Sequence, residues 1–92
     1  MKKLTIFHLE DCPYCHNAKQ ALKELLEEKP AFTSVELAWI EESRQPELAA
    51  AFDYYYVPAV FCEGEKLYEA KPFESFAACK ENLRSALEIA LN

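Results

Sequence analysis

The sequence predicts an α/β protein with a four-stranded mixed sheet and helices on both faces, in the order β-α-β-α-β-β-α. Three observations carry this prediction: an apolar run followed by a helical pattern, a second run with a two-residue period, and two short β-prone runs around the only glycine. A β-α-β beginning requires a right-handed crossover and a parallel pair of strands. Two strands joined by a tight turn are antiparallel, so the sheet is mixed.

The first strand and helix have the clearest patterns. Leu4–Leu9 carries large or β-branched residues at almost every position, which predicts a strand buried on both faces near the centre of the sheet. From Pro13 onward, apolar residues recur three and four positions apart, as on one face of a helix. These residues are Tyr14, Ala18, Ala21, Leu22, Leu25 and Leu26. Pro30 ends the helix, because proline cannot continue it.

The second strand is predicted over Phe32–Ile40, where apolar and polar residues alternate with the period of a half-buried element. Its wetter face places it at an edge of the sheet. After a polar connection, Pro46 opens a short helix over Glu47–Phe52, which is rich in good helix formers.

The last two strands and the last helix complete the order. Ala59–Cys62 and Lys66–Glu69 are short β-prone runs, and Gly64 between them supplies the positive φ that a tight hairpin turn needs. After Pro72, apolar residues at helical spacing predict a helix that continues to the C-terminus. These residues are Phe73, Phe76, Ala77, Leu83, Ala86, Leu87 and Ala90.

Length, composition and charge limit the number of domains and the kinds of partner that the sequence predicts. Its 92 residues, 51% of them hydrophobic and 28% charged, predict one folded domain over residues 1–92. The net charge of −6, from 16 acidic and 10 basic residues, argues against nucleic acid or an anionic membrane as a partner. No apolar run approaches the length of a membrane span, and we expect a cytoplasmic monomer.

A Cys-x-x-Cys motif, Cys12-Pro13-Tyr14-Cys15, stands where the first strand gives way to the first helix. Two thiols at such a junction predict redox chemistry. Pro13 suits the first helical position, so Cys12 faces free N–H groups and the positive end of the helix dipole, which favour a thiolate. A thiolate at Cys12 attacks a substrate disulfide, and Cys15 then attacks the mixed disulfide and releases the reduced substrate. The motif therefore supplies a catalytic nucleophile and a resolving thiol.

Other interpretations of the motif are a structural disulfide, half of a metal site, and two unreactive core cysteines. Reducing compartments do not maintain a permanent disulfide, which argues against the first. A metal site needs more ligands, and Cys62, Cys79, His8 and His16 form no second Cys-x-x-Cys or His-x-x-x-His pair. We therefore expect no metal and no cofactor.

Several conspicuous residues outside the motif have simpler interpretations. Of the three aromatic residues Tyr54–Tyr56, we expect one to pack on the core and another to contact substrate. Cys62 and Cys79 fall at apolar positions of a strand and a helix, which favours buried and inert thiols. His8 is a proton carrier for Cys15 or a capped, hydrogen-bonded side chain, and we favour the latter. Trp39 is explained by packing.

The motif after the first strand, together with Val57-Pro58 before the third and the order of elements, resembles the thioredoxin superfamily. Within it, nearly the whole chain resembles glutaredoxins and small glutaredoxin-like thioredoxins. The resemblance implies a thioredoxin fold, a cis bond between Val57 and Pro58, and a Val57 backbone that pairs with an extended cysteine-containing substrate. It predicts a substrate-binding surface made of five residues. They are Pro13, Tyr14, Tyr56, Val57 and Pro58.

Three departures from the glutaredoxin pattern bear on the electron donor. Leu9 stands where glutaredoxins usually carry a lysine, and Glu10 and Asp11 after it reverse the local charge. Residues 69–73 replace the Gly-Gly pair and the aspartate that hold glutathione. We therefore expect disulfides of proteins or of low-molecular-weight thiols as substrates and a flavoprotein of the thioredoxin-reductase type as donor, with glutathione as the other possible donor and co-substrate. The alternative functions are a metal or iron-sulfur cluster module that uses Cys12 as ligand, and a binding protein regulated by its disulfide.

Overall fold

The computed structural model describes residues 2–92 and contains the predicted order of elements. The four strands are β1 (Lys3–His8), β2 (Glu36–Glu41), β3 (Ala59–Cys62) and β4 (Glu65–Glu69). The three α-helices are α1 (Pro13–Glu28), α2 (Pro46–Ala50) and α3 (Phe76–Leu91), and a 3₁₀ turn spans Pro30–Ser34. The predicted α/β fold class is therefore confirmed.

The strands form one mixed sheet in the order β2-β1-β3-β4. β1 pairs parallel with β2 and antiparallel with β3, and β3 pairs antiparallel with β4. The central place predicted for β1 and the edge place predicted for β2 are both confirmed. In the parallel pair His8 lies opposite Glu41, so the strands end at the same edge of the sheet.

Alternate residues of β1 face two separate apolar clusters, because successive side chains of a strand point to opposite faces. Leu4 and Ile6 belong to the larger cluster, which α1 and α3 cover. Phe7 belongs to a smaller cluster on the other face, where its ring centroid lies 4.8 Å from that of Phe52. Ala49 of α2 packs against this second cluster, so helices cover both faces, as predicted.

The second strand begins later than predicted. Phe32 is fully buried, yet it lies in the 3₁₀ turn that Pro30 opens, and the strand starts only at Glu36. Thr33 stabilises the turn by donating its hydroxyl hydrogen to the Pro30 carbonyl at 2.7 Å. The apolar side chain of Phe32 fits the strand pattern, but its burial comes from packing on the core.

The last helix also begins later than the apolar pattern predicted. The Ser75 hydroxyl accepts a hydrogen bond from the Ala78 N–H at 3.1 Å and caps α3, so the helix starts at Phe76. Phe73 lies outside it, 96% exposed and with a φ of 64°. Including Phe73 in the buried helical face was therefore wrong, since a residue with left-handed backbone cannot continue an α-helix.

Candidate active site

The first cysteine of the motif lies at the N-terminus of α1. Cys12 is the N-cap residue with extended backbone, φ −93° and ψ 119°, and Pro13 takes the first helical position. The Cys12 Sγ accepts a hydrogen bond from the Cys15 N–H at 3.3 Å. This sulfur therefore contacts one of the N–H groups that a helix leaves without an intrahelical partner, as the sequence predicted.

The backbone before β3 lies against the same sulfur. The Cys12 Sγ is 3.7 Å from the Val57 carbonyl oxygen, to which its thiol donates. The bond between Val57 and Pro58 is cis, which confirms that expectation. Pro58 is fully buried, and its carbonyl accepts from the Ala70 N–H at 3.0 Å, which ties this segment to the loop after β4.

The second cysteine has a different environment. Cys15 is fully buried, one turn into α1, and its sulfur accepts a weak hydrogen bond from the Leu9 N–H at 3.5 Å. Burial raises the pKa of Cys15 to about 12, and its contact with Cys12 acts in the same direction, while the Leu9 bond opposes them. The structure thus places one accessible sulfur and one shielded, protonated thiol in the same helical turn.

A polar groove of about 410 Å³ borders Cys12 on the side of β2. Arg44 reaches the Glu10 carboxylate at 2.9 Å, so the acidic side chain next to the motif is paired. Glu41 accepts from the N–H and hydroxyl of Ser43, and these bonds hold its pKa below the ordinary value. The sequence analysis did not place the residues after β2 at the site. Their proximity to the motif was predictable, because the ends of the parallel strands β1 and β2 meet at one edge of the sheet.

An apolar pocket of about 200 Å³ borders the motif on the opposite side. Tyr14, Tyr56 and Val57 line it together with Pro72 and Phe73 from the loop after β4. The Phe73 N–H donates to the Tyr14 hydroxyl at 2.7 Å, which joins this loop to α1. Phe73 is the second contributor that the sequence analysis missed, because its apolar character was assigned to a buried helix face.

The three consecutive tyrosines have different places. Tyr54 packs on Phe7 with ring centroids 4.9 Å apart, and its hydroxyl donates to Glu42 at 2.8 Å. Tyr55 is 86% exposed, whereas Tyr56 lines the apolar pocket. One tyrosine therefore packs on the core and another lies at the site, as expected from the sequence, while their roles stay predictions.

The two histidines do not form part of a ligand set. His8 is buried, and its ring lies perpendicular to that of Trp39 with centroids 5.4 Å apart. Burial is the main cause that lowers the pKa of His8. Its Nδ1 has no hydrogen-bond partner among residues 2–92, so the expected hydrogen-bonded side chain is wrong for that atom. The His16 ring contacts the Glu10 carbonyl oxygen at 2.5 Å.

The remaining cysteines lie in the interior. Cys62 and Cys79 are both buried, in β3 and α3, as the sequence predicted, and burial raises the pKa of each thiol. In the described part of the chain, no three His, Cys, Asp or Glu side chains come together as metal ligands. None of the helices described within residues 2–92 is both long enough and apolar enough to cross a membrane.

The fold and the site define a protein with the thioredoxin fold: a four-stranded mixed sheet with helices on both faces, a Cys-x-x-Cys motif at a helix N-terminus, and a cis-proline segment beside it. The glutaredoxin family profile matches residues 4–67, which include both cysteines of the motif and the Val57-Pro58 bond. The chain belongs to the glutaredoxin family. This family and this fold support a redox role.

Solved structures share this fold. A mutant thioredoxin from Halobacterium salinarum has a TM-score of 0.66 at 20% identity, over 99% of this chain and 75% of that one. An uncharacterized thioredoxin-like protein from Clostridium perfringens has a TM-score of 0.63 at 23% identity, over 98% and 71%. A malarial protein has a TM-score of 0.68 at 15% identity, over 100% and 99%. No curated protein matches the sequence.

Proposed function

We propose that this protein is a dithiol-disulfide oxidoreductase that reduces disulfides of proteins or of small thiols. The observation that carries the proposal is the contrast between the two sulfurs of one helical turn. Cys12 is partly exposed at the N-cap of α1, next to the Val57 carbonyl, whereas Cys15 is fully buried behind it. An accessible attacking sulfur and a shielded resolving sulfur are the two parts that thiol-disulfide exchange requires.

The reaction proceeds in two exchanges. The Cys12 thiolate attacks one sulfur of the substrate disulfide, a mixed disulfide forms, and the other substrate sulfur leaves as a thiolate that takes up a proton. Cys15 then loses its proton and attacks the Cys12 sulfur, which releases the first substrate sulfur. The substrate gains two electrons and two protons, and the protein is left with a Cys12–Cys15 disulfide.

Substrate binding in this proposal uses the surface around Cys12. An extended segment of the substrate pairs with the backbone at Val57, a short form of β-strand addition. Pro13, Tyr14 and Tyr56 complete the surface, and Tyr14 and Tyr56 line the pocket next to it. Pro58 is fully buried, so its part in substrate binding is to hold the Val57 backbone in place through the cis bond. Backbone pairing tolerates many substrate sequences, so side-chain contacts decide which disulfides are preferred.

The oxidised protein must be reduced again by a donor. We propose a flavoprotein of the thioredoxin-reductase type, with glutathione as the other candidate, and a cytoplasmic monomer that needs no resident cofactor. Position 9 is a leucine where glutaredoxins usually carry a lysine, and no Gly-Gly pair follows β4. Both departures support the flavoprotein as donor. A coupled assay that follows NADPH consumption with either donor system distinguishes them.

Replacing each motif cysteine tests the mechanism. We expect Cys12→Ser to abolish reduction of insulin disulfides, because the attacking sulfur is lost. Cys15→Ser should accumulate a mixed disulfide between Cys12 and the substrate, visible by mass spectrometry. Cys62→Ala, at a buried cysteine in β3, serves as the matched control and keeps its activity. Normal insulin reduction by Cys12→Ser would refute the proposal.

The redox potential gives an independent test. Equilibrating the protein in a graded dithiol-disulfide buffer and counting free thiols by alkylation should show that one pair of the four thiols is oxidised. A potential near or below about −270 mV marks a thioredoxin-like reductant, and one of about −200 to −230 mV marks a glutaredoxin-like protein. If no Cys12–Cys15 disulfide forms, metal binding becomes the preferred function. The metal content of anaerobically purified protein tests this alternative.

A further inference from the structure

The loop after β4 exposes a large aromatic residue in an unfavourable backbone conformation. Phe73 has a φ of 64° and is 96% exposed. Bulky residues rarely adopt this left-handed conformation, and such outliers persist only where the surrounding structure imposes them. Here the Phe73 N–H donates to Tyr14, and the next N–H, that of Glu74, donates to the Lys71 carbonyl at 3.1 Å. The loop thus holds an apolar ring in solvent, which stability alone does not explain.

Phe73 is one of the residues that line the apolar pocket beside the Cys12 sulfur. Val57 lines this pocket, and the Val57 carbonyl is also the atom that the Cys12 thiol contacts at 3.7 Å. The pocket therefore begins next to the sulfur that attacks the substrate. Tyr14, Tyr56, Ala70, Lys71 and Pro72 line the rest of the pocket.

The size of the pocket indicates what fills it. Its volume of about 200 Å³ is smaller than the roughly 300–1,000 Å³ typical of sites that enclose a whole small molecule. It suits one side chain, and its aromatic walls suit an apolar one. Lys71 is the one cation in its lining, and in the polar groove across the motif Arg44 pairs with Glu10, so an anionic thiol finds a single cation here and no cluster of positive charge.

We infer that this pocket binds an aromatic or large aliphatic side chain next to the attacked cysteine of a polypeptide substrate, with Phe73 as the specificity-determining residue. The inference rests on the proposed function and deepens it by naming the substrate class. Phe73 does not touch the reacting atoms. It acts by covering the apolar side chain of the substrate, which raises the rate of attack through binding.

Two peptides test the inference. Each carries one cysteine in a mixed disulfide with thionitrobenzoate, and they differ only in a phenylalanine or a serine beside that cysteine. The second-order rate constant for thionitrobenzoate release by the pre-reduced protein is measured by stopped flow, so no electron donor is needed. We expect the phenylalanine peptide to react about tenfold faster, since burying one aromatic side chain is worth about that factor or more.

Substitutions at Phe73 separate specificity from stability. Phe73→Gly and Phe73→Asn remove the ring and suit the left-handed backbone, so we expect the rate ratio between the peptides to approach one while the thermal midpoint does not fall. If Phe73 had only a structural role, these variants would have a lower thermal midpoint than the wild-type protein. Ile89→Ala, at an exposed apolar position of α3, is the control and keeps the wild-type ratio.

The outcomes distinguish this inference from the proposed function. If the wild-type protein reduces both peptides at equal rates, the inference is wrong and the proposed function stands. If it reduces neither, the proposed function itself fails. A glutathione–thionitrobenzoate disulfide that reacts faster than the phenylalanine peptide would also overturn the inference, because the pocket would then serve a small anionic thiol.

Discussion

Cys12 and Cys15 are the same residue type three positions apart, and their surroundings give them different chemistry. The Cys12 sulfur lies at the helix terminus, where it accepts a hydrogen bond from the Cys15 N–H. Cys12 itself lines the polar groove, and its neighbour Val57 lines the apolar pocket. The Cys15 sulfur is buried and keeps its proton, because a thiolate loses its hydration there. In the proposed mechanism, exposure therefore orders the two exchanges: the Cys12 sulfur meets the substrate first, and the Cys15 sulfur acts only on the mixed disulfide.

This difference predicts a steep pH dependence for the second exchange. With the pKa of Cys15 at about 12, its thiolate is a small fraction at neutral pH, and that fraction grows as pH rises. Release of the substrate from its mixed disulfide with Cys12 should accelerate about tenfold per pH unit between about pH 7 and 9. Rapid quenching with acid and mass spectrometry measure that step. A rate that levels off near neutral pH would show that the Cys15 thiol ionises more easily.

At the scale of elements, α1 and α3 pack against one face of the sheet and share its larger apolar cluster. Charged pairs flank this contact: Lys80 of α3 reaches both Glu24 and Glu28 of α1, and Arg84 also reaches Glu28. Partly exposed ion pairs contribute little, so the apolar contact supplies most of the stability. The active-site turn belongs to α1, and the position of Cys12 therefore depends on this packing.

Removing one buried side chain from α3 tests the importance of this contact. Leu87 is fully buried, and Leu87→Ala should lower the free energy of unfolding by about 2–5 kcal/mol, through lost transfer energy and the cavity left behind. The matched control is Leu48→Ala in α2, where the side chain is 39% exposed and the expected change is within about 0.5 kcal/mol. Urea denaturation of both variants measures the difference. Equal effects would mean that the α1–α3 contact is not a main source of stability.

At the scale of the whole molecule, five weakly acidic side chains occupy buried or half-buried positions. Burial raises the pKa of the thiols of Cys15, Cys62 and Cys79 and of the phenols of Tyr54 and Tyr68. These groups are neutral at pH 7 and cost little to bury in that form. Because the folded state opposes their ionisation, the free energy of unfolding depends on pH in the alkaline range.

The linkage predicts that the protein loses stability as pH rises above about 9, the ordinary thiol value. Above that pH the unfolded chain has released protons that the folded protein still holds, so unfolding is favoured. The contribution of the protonated Cys15 thiol to the free energy of unfolding is complete below pH 9. It decreases by at most about 1.4 kcal/mol per pH unit up to about pH 12. Urea unfolding under reducing conditions at pH 7 and about pH 10 checks the sign. A free energy that is unchanged or higher at the alkaline pH would contradict it.

The sequence by itself determined the order of elements, the central β1, the Cys12–Cys15 motif at a helix start and the hairpin around Gly64. Each of these depends on local patterns: the periodicity of apolar residues, the missing N–H of proline, and the conformational freedom of glycine. Neighbouring residues decide them, so they can be predicted without knowing the partner segments.

The tertiary structure decided which apolar residues are buried and which segments meet at the site. Phe32 and Phe73 are the same residue type, yet one is fully buried in a turn and the other is 96% exposed. Arg44 meets Glu10, and Phe73 meets Tyr14, across separations of 34 and 59 positions. Such contacts depend on how strands and loops come together in space, and no local pattern encodes them. The chemistry of the motif is therefore predicted locally, whereas its specificity is a property of the folded chain.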